Sequence, residues 1–402
     1  MSTAGIVHPP LRSSRSQSVA RPSTSARAAG VPWYIYWGAL AVTSSSFGGQ
    51  WDVAWHRSIG RDSFLTPAHI MIYACGVIAA VICGNLIFTT TFGKSQHMRD
   101  ESVSVLGFKA PLGAFLAAWG GIAMITSGPF DNWWHAAYGL DVKIISPPHT
   151  LLILGIRCVA MGMLFLTLAA MNRAASETEA HRKLQILYLY LGGLMVGGQM
   201  FFLLEKTVDF KLHTATAYVV MGAAVPLIFA LLSQSSQAKW ACTITAAIYT
   251  IIGIGEILIF PLVSASPKLG PVLNQVTHLV PAKFPILIIV PAIALDLLWQ
   301  RTKGWKTWKL ALVSSLIFTA VLVVVEWPFA SFLLSKASAN RFFGTIYFDY
   351  NSPPDGYDRM RRWFDPAGPA ELARGVAEAV IYGSVGTWVG LKFGNWMRSV
   401  QR

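Results

Sequence analysis

Charged residues are scarce in this chain of 402 residues. They make up 13% of the sequence, whereas soluble globular domains carry about 25%, and this shortage excludes an ordinary soluble enzyme. Acidic residues are the rarer kind, with 19 Asp and Glu against 32 Lys and Arg. The basic residues lie in short connectors and are not interleaved with aromatic residues, so the positive charge does not predict a nucleic-acid partner.

Cysteine is also rare. The four cysteines lie inside apolar runs and lack the short paired spacing of a redox or zinc motif, so we interpret them as small buried hydrophobic residues. This excludes a small disulfide-stapled scaffold. The cysteines are Cys75, Cys83, Cys158 and Cys242.

The N-terminal stretch 1–30 contains no apolar run of the kind found in a cleaved signal peptide.

Long apolar runs are what the sequence has in abundance, and 54% of its residues are hydrophobic. A helix needs about 20 apolar residues to cross a hydrocarbon core of about 30 Å. The runs therefore predict an all-α polytopic membrane protein with about ten transmembrane helices. These predicted spans lie near 33–49, 66–92, 111–127, 148–171, 186–205, 214–234, 241–262, 283–300, 309–334 and 374–394.

The placement of Lys and Arg predicts the orientation, because these residues are retained on the cytoplasmic side. Basic connectors alternate along the chain with connectors that hold most of the histidines. We therefore predict a bacterial inner-membrane protein with both termini in the cytoplasm and the histidine-rich connectors on the outer face. The predicted regions are a disordered basic arm at 1–30, a metal-binding region at 31–184, and further transmembrane helices at 185–402 with an outer loop at 335–373.

The first two outer connectors carry one motif twice. An Asp is followed four residues later by a His, at Asp52 and His56 and again at Asp131 and His135. The offset from Asp52 to Asp131 equals the offset from His56 to His135, and its length predicts a repeated two-helix unit in the N-terminal half. Each copy closes with a hydroxyl residue, Pro, any residue and His, as Thr66-Pro67-Ala68-His69 and Ser146-Pro147-Pro148-His149.

This spacing predicts two metal sites. Residues four apart on a helix share one face, so each Asp and His can point at one ion. A Ser or Thr before Pro is a helix start, which places His69 and His149 in the first turn of the next helix. Two imidazoles and one carboxylate then converge twice, and this ligand set suits iron, copper or zinc.

The motif resembles that of the C subunit of the copper membrane monooxygenases, the particulate methane and ammonia monooxygenases, over about residues 50–155. In that family the first copper site consists of an Asp, a His four residues later and a second His thirteen residues after the first His. The second site consists of an Asn, a His four residues later and a second His fourteen residues after the first His. In this chain His56 lies four residues after Asp52, and His69 lies thirteen residues after His56. In the second motif, His149 lies fourteen residues after His135. Asp131 replaces the family's Asn.

The resemblance implies a copper-dependent membrane monooxygenase, or its metal-bearing subunit. Such a protein would lie in the lipid bilayer, oxidise a small apolar substrate with O2 and assemble with other monooxygenase subunits. Two alternatives of other classes are a non-catalytic protein that handles copper or zinc, and a transporter that works through its acidic residues within the spans.

Weaker signals remain. Asp62 and Asp141 follow a Gly in each motif, where they either orient the imidazoles or cap a turn. A second set of polar residues repeats the four-residue spacing at later outer connectors and is a weaker metal candidate: Glu205, Asp209, His213, Asn274 and His278. Ionisable residues within the spans should face protein or a wet cavity, with ion pairing between helices as the plainest interpretation. These are Arg157, Glu256, Asp296, Glu326 and Glu378.

The predicted orientation can be checked by labelling from one side of the membrane. We expect a tag at residue 5 to be accessible from the cytoplasm and a tag at residue 60 to be accessible only from outside, because Lys and Arg mark the cytoplasmic connectors. Accessibility of both tags from the same side would refute the topology.

Overall fold

The computed structural model describes residues 30–60, 65–139, 145–268, 276–343 and 366–402. Within these ranges the chain is almost entirely helical. Most of the arm predicted at 1–30 and most of the loop predicted at 335–373 lie outside the described residues. The helices are α1 (Trp33–Ser58), α2 (Pro67–Phe92), α3 (Gln96–Asp100), α4 (Leu112–Tyr138), α5 (Pro147–Arg173), α6 (Glu179–Phe202), α7 (Ala215–Ser236), α8 (Ala241–Ile259), α9 (Ile289–Arg301), α10 (Thr307–Leu333) and α11 (Pro369–Met397).

Seven of the described helices are long and apolar enough to cross a membrane, which confirms an all-α, membrane-like protein. They are α2, α4, α5, α6, α7, α8 and α10. Two more helices, α1 with 26 residues and α11 with 29, have the length of a span but a more polar sequence. The count of ten spans is therefore not established by these helices.

The span predicted at 283–300 differs from the structure. The helix here is α9, Ile289–Arg301, with 13 residues, and at 1.5 Å per residue it reaches only about 20 Å. Pro281 and Pro285 lie just before it. Proline restricts the residue that precedes it to extended conformations and lacks the helical N–H donor, so the chain is not helical between residues 279 and 286.

Glycines bring the N-terminal helices into close contact. Gly120 of α4 faces the backbone of α5, where an added Cβ would lie 2.6 Å from the carbonyl oxygen of Gly155. A Cβ added at Gly162 of α5 would lie 2.6 Å from the carbonyl oxygen of Gly113 in α4. Small residues at helix contacts are the usual solution within membranes, where close van der Waals packing replaces the hydrophobic driving force. Helices α1, α2, α4 and α5 form one packed group in this way.

The second half packs around α7. Helix α11 runs along it with a row of glycines against α7, and α10 packs against α11 on the side of Gly383. Helices α8 and α9 complete this half, and α6 joins it to α1 and α5. A short hairpin between α3 and α4 pairs Val103–Val105 with Phe108–Ala110, and its turn residues Leu106 and Gly107 both have positive φ.

Replacing Gly120 with Ala tests the close approach of α4 and α5. We expect G120A to lower the free energy of unfolding by about 1–3 kcal/mol, because the new methyl group would overlap backbone atoms of the facing helix. Thermal unfolding in detergent would measure this. Gly84 of α2 is the matched control, since a Cβ there meets nothing within 4 Å, and G84A should be neutral or stabilising. Equal effects of the two substitutions would contradict the packing described.

Candidate metal centre

The first group of candidate ligands forms where α1 ends and α2 begins. Asp52 and His56 share one face of the last turns of α1. Thr66 is the N-cap of α2, and its hydroxyl accepts a hydrogen bond from the His69 N–H at 3.1 Å. The Oδ1 atom of Asp52 then lies 3.6 Å from Nε2 of His56 and 3.1 Å from Nε2 of His69. The structure therefore brings these three predicted residues together.

The second group has the same construction at the junction of α4 and α5. Ser146 is the N-cap of α5, and its hydroxyl accepts from the His149 N–H at 3.5 Å. Oδ1 of Asp131 lies 3.4 Å from Nε2 of His135 and 3.4 Å from Nε2 of His149. In each group all three ligand atoms lie within 4.8 Å of one another. Among the described residues, these two are the groups of three or more acidic, His or Cys side chains with that spacing.

In each group, a glycine lies four residues after the first His and has a backbone conformation that favours glycine. Gly60 has a φ of 100° and Gly139 a φ of 86°, values that side chains disfavour. The reversal at Gly139 also turns its carbonyl oxygen to Nδ1 of His135, at 3.1 Å. A hydrogen bond at Nδ1 leaves Nε2 directed at Asp131 with its lone pair available for a ligand.

The central carboxylate oxygens are compatible with metal binding. Oδ1 of Asp52 and Oδ1 of Asp131 are both buried, and neither makes a hydrogen bond with the described residues. Metal bonds of about 2.0–2.2 Å, at angles of about 90–110°, separate neighbouring ligand atoms by about 2.8–3.6 Å. The four Asp–His distances, 3.1 to 3.6 Å, fall in that range. The residues present therefore fit a first-row transition metal.

Tyr73 links α2 and α4, which carry residues of the two groups, and was missed by the sequence interpretation. It lies four residues after His69 in α2, and its hydroxyl is 3.5 Å from Oγ of Ser127, four residues before Asp131 in α4. The four-residue spacing from His69 to Tyr73 is a signal in the sequence. The second motif has Ile153 at the matching position, so Tyr73 is not part of the repeat that identified the other residues.

An extended segment, residues 276–288, holds the end of α1. The N–H of Val280 donates to the hydroxyl of Ser58 at 2.7 Å, and Arg57 donates to the carbonyl oxygens of Pro281, at 2.8 Å, and of Ala282. Because Arg57 directly follows His56, these bonds fix the turn of α1 that carries the first group.

The same segment is bound at its other end to the second half. Lys283 donates to the carbonyl oxygen and hydroxyl of Thr207, and the Leu287 N–H donates to Oε2 of Glu326 at 2.9 Å. The 276–288 segment is thus a hydrogen-bonded link between the first ligand group and α10.

Glu205, Asp209 and His213, three of the weaker metal candidates, do not lie on one helix. Helix α6 ends at Phe202, and Glu205 and Asp209 lie on separate short 3₁₀ turns, so the prediction of one shared helix face with His213 is wrong. His213 is buried beside Trp327 and bonds Oγ of Ser331 at 2.9 Å; burial lowers its pKa.

The remaining predicted site residues are only partly covered by the structure. His278 lies in an isolated bridge with Ser264. Its predicted partner Asn274 lies outside the described residues, as do Asp62 and Asp141, so their roles stay predictions.

Ion pairing between helices does not explain the ionisable residues within the spans. Asp296 of α9 instead accepts from the N–H groups of Cys242 and Thr243 and so caps the start of α8. Glu378 pairs with Arg374 on its own helix at 2.9 Å. Helix N-termini have unsatisfied N–H donors and a partial positive charge, and a carboxylate from a neighbouring helix satisfies both.

No family model, no curated protein and no solved structure matches the chain. The resemblance to the copper membrane monooxygenases therefore rests on the residues of the motif alone.

Removing the N-cap hydroxyl at Thr66 tests how His69 is positioned. We expect T66A to lower stability by about 1 kcal/mol and to weaken metal binding at the first group by about tenfold, as loss of an orienting contact does. Thr178, the N-cap of α6, makes the same bond to the His181 N–H at 3.2 Å far from either group in sequence. T178A should cost similar stability, and titration of both variants with metal should separate them. Unchanged metal affinity in T66A would count against this role.

Proposed function

We propose that the chain is an integral membrane copper protein that acts as a monooxygenase, or as the metal-bearing subunit of one, on a small apolar substrate with O2. One observation carries the proposal. Two groups of one carboxylate and two imidazoles recur with the same construction, and in each a buried carboxylate oxygen faces two ring nitrogens without a hydrogen bond to the described residues.

Copper is the metal that the donor set and the motif favour together. Sites with nitrogen and oxygen ligands bind Cu2+ most tightly among the first-row divalent ions, and the motif resembles the copper-binding motif of the membrane monooxygenases. Iron and zinc accept the same ligands and are the alternatives. Asp52, His56 and His69 would hold one ion, and Asp131, His135 and His149 the other.

The chain's own residues then have defined tasks. Bound copper would supply the chemistry that activates O2. Three protein ligands per group leave positions for O2 or water, and the side chains of these ligands are between 16% and 39% exposed. Tyr73 and Ser127 would hold the facing helices α2 and α4 at a fixed separation between the groups. The apolar outer surfaces of the helices would admit a lipid-soluble substrate.

The finer architecture belongs to the same proposal. The first pair of helices, α1 and α2, begins at Trp33 and Pro67, and the second pair, α4 and α5, begins at Leu112 and Pro147. The number of residues from α1 to α4 is therefore nearly the same as that from α2 to α5. We take the two pairs to be a repeated unit, oriented in parallel with its metal groups at the outer face of a bacterial inner membrane and both termini in the cytoplasm. Ten crossings would follow if α1 and α11 also cross and if the extended 276–288 segment makes one crossing together with the 13 residues of α9. Other membrane monooxygenase subunits would be its protein partners.

Metal analysis of the detergent-purified protein tests the proposal. We expect about two copper ions per chain, and we expect H56A and H135A each to lower the copper content. The loss should be greater for H135A after dialysis against a weak chelator. Asp131 and His135 are 16% and 25% exposed, against 24% and 39% for Asp52 and His56, and His135 has the orienting bond to Gly139.

His213 supplies the matched control, because it is a buried histidine outside both groups, and H213A should retain all the copper. A protein that contains mainly zinc, or no metal, would refute the copper proposal. Full copper content without substrate-dependent O2 consumption, in the presence of a reductant, would favour the copper-handling alternative instead.

A further inference from the structure

A cavity of about 110 Å³ lies between α1, α5, α6 and α8, next to the ligand groups along α1 and α5. Gly49 of α1 lines it three residues before Asp52, and Ile153 of α5 lines it one turn after His149. Its walls are mainly apolar. Other lining residues include Val42, Ile156, Leu194, Phe201 and Ile252.

One charged group, the guanidinium of Arg157, lines this cavity. Its Nη1 atom donates a long hydrogen bond, 3.4 Å, to the carbonyl oxygen of Met195, and its Cζ atom lies 4.8 Å from the ring centroid of Phe202. Its Nη2 atom is buried and has no hydrogen-bond partner among the described residues. No described carboxylate forms an ion pair with it.

Arg157 lacks a counter-charge, as does Glu256 of α8, whose buried Oε1 atom also has no hydrogen-bond partner among the described residues. Two other buried ionisable groups do have hydrogen-bond partners. Asp296 is satisfied by the N-terminus of α8, and Glu326 accepts from Leu287. An unpaired cation within a bilayer is expensive, and such residues pair with another group or mark a ligand site. Gly198 makes room for the guanidinium, since a Cβ there would lie 3.1 Å from Nη1.

We propose that the cavity binds an amphipathic lipophile whose anionic oxygen head pairs with Arg157. A guanidinium presents N–H donors in a planar fork that matches carboxylate and phosphate oxygens. The apolar walls suit the methylene groups nearest the head, since a cavity of about 110 Å³ holds only a short part of a hydrocarbon chain. A fatty-acid carboxylate and a phospholipid phosphate share this chemistry. The site uses none of the six candidate metal ligands, so it stands whether or not the chain binds copper.

Equilibrium binding of three labelled probes to the full-length protein in an uncharged detergent tests the site. The probes are decanoate, decyl phosphate and decanol, which share a chain and differ in the head. We expect at least one anion to bind about tenfold or more tightly than decanol, because charge-assisted hydrogen bonds are about twice as strong as neutral ones. The anion with the higher affinity distinguishes a fatty acid from a lipid phosphate as the source.

Variants assign the preference to its residue. R157M keeps much of the length of the side chain but removes the charge, and it should abolish the preference for anions. R157K keeps the charge without the fork and should retain part of the preference. R182M, at an exposed arginine, should leave it unchanged.

Gly197 provides an independent variant that does not alter Arg157. A Cβ at this position meets only Tyr249, at 3.8 Å, so the side chain of G197L should fill the cavity and weaken the binding of all three probes. An anion preference that survives in R157M, equal binding of anions and decanol by the native protein, or no binding of any probe would overturn the proposal.

Discussion

The hydrogen bonds from the backbone N–H groups of His69 and His149 to the hydroxyls of Thr66 and Ser146 determine where both ligand groups form. They fix the first turns of α2 and α5, whose N–H donors have no partner within the helix. Once those turns are fixed, each imidazole faces a carboxylate that the preceding helix already presents. The close glycine contacts of α4 and α5 keep the second pair of helices at the required distance.

The parts of this arrangement that follow local rules could be predicted from the sequence. Thr66-Pro67 and Ser146-Pro147 signal helix starts, because the hydroxyl and the ring act on the nearest turn. The four-residue spacing of Asp52 and His56 fixes a shared face for the same reason. The convergence of each set of three ligand atoms depends on only two helices joined by a short connector, so it too was within reach of a sequence pattern.

Two helix limits and one contact between distant residues were not predicted. The 13-residue α9 replaces a predicted span because the proline restrictions at Pro281 and Pro285 outweigh the hydrophobicity of the run. Glu205, Asp209 and His213 have helical spacing in sequence, but α6 ends at Phe202. The partners of Asp296 lie far back along the chain, at Cys242 and Thr243 of another helix, and nothing in the sequence near Asp296 identifies a helix N-terminus as its counterpart.

The extended 276–288 segment makes the two ligand groups mechanically unequal although their chemistry is alike. It binds Arg57 and Ser58 beside the first group and Thr207 and Glu326 in the second half. Hydrogen bonds of this segment transmit a displacement of α10 directly to the turn that carries His56. His135 is instead held by Gly139, a residue of its own connector. The first group is therefore coupled to α10 through hydrogen bonds of this segment, and two sets of like ligands have different supports.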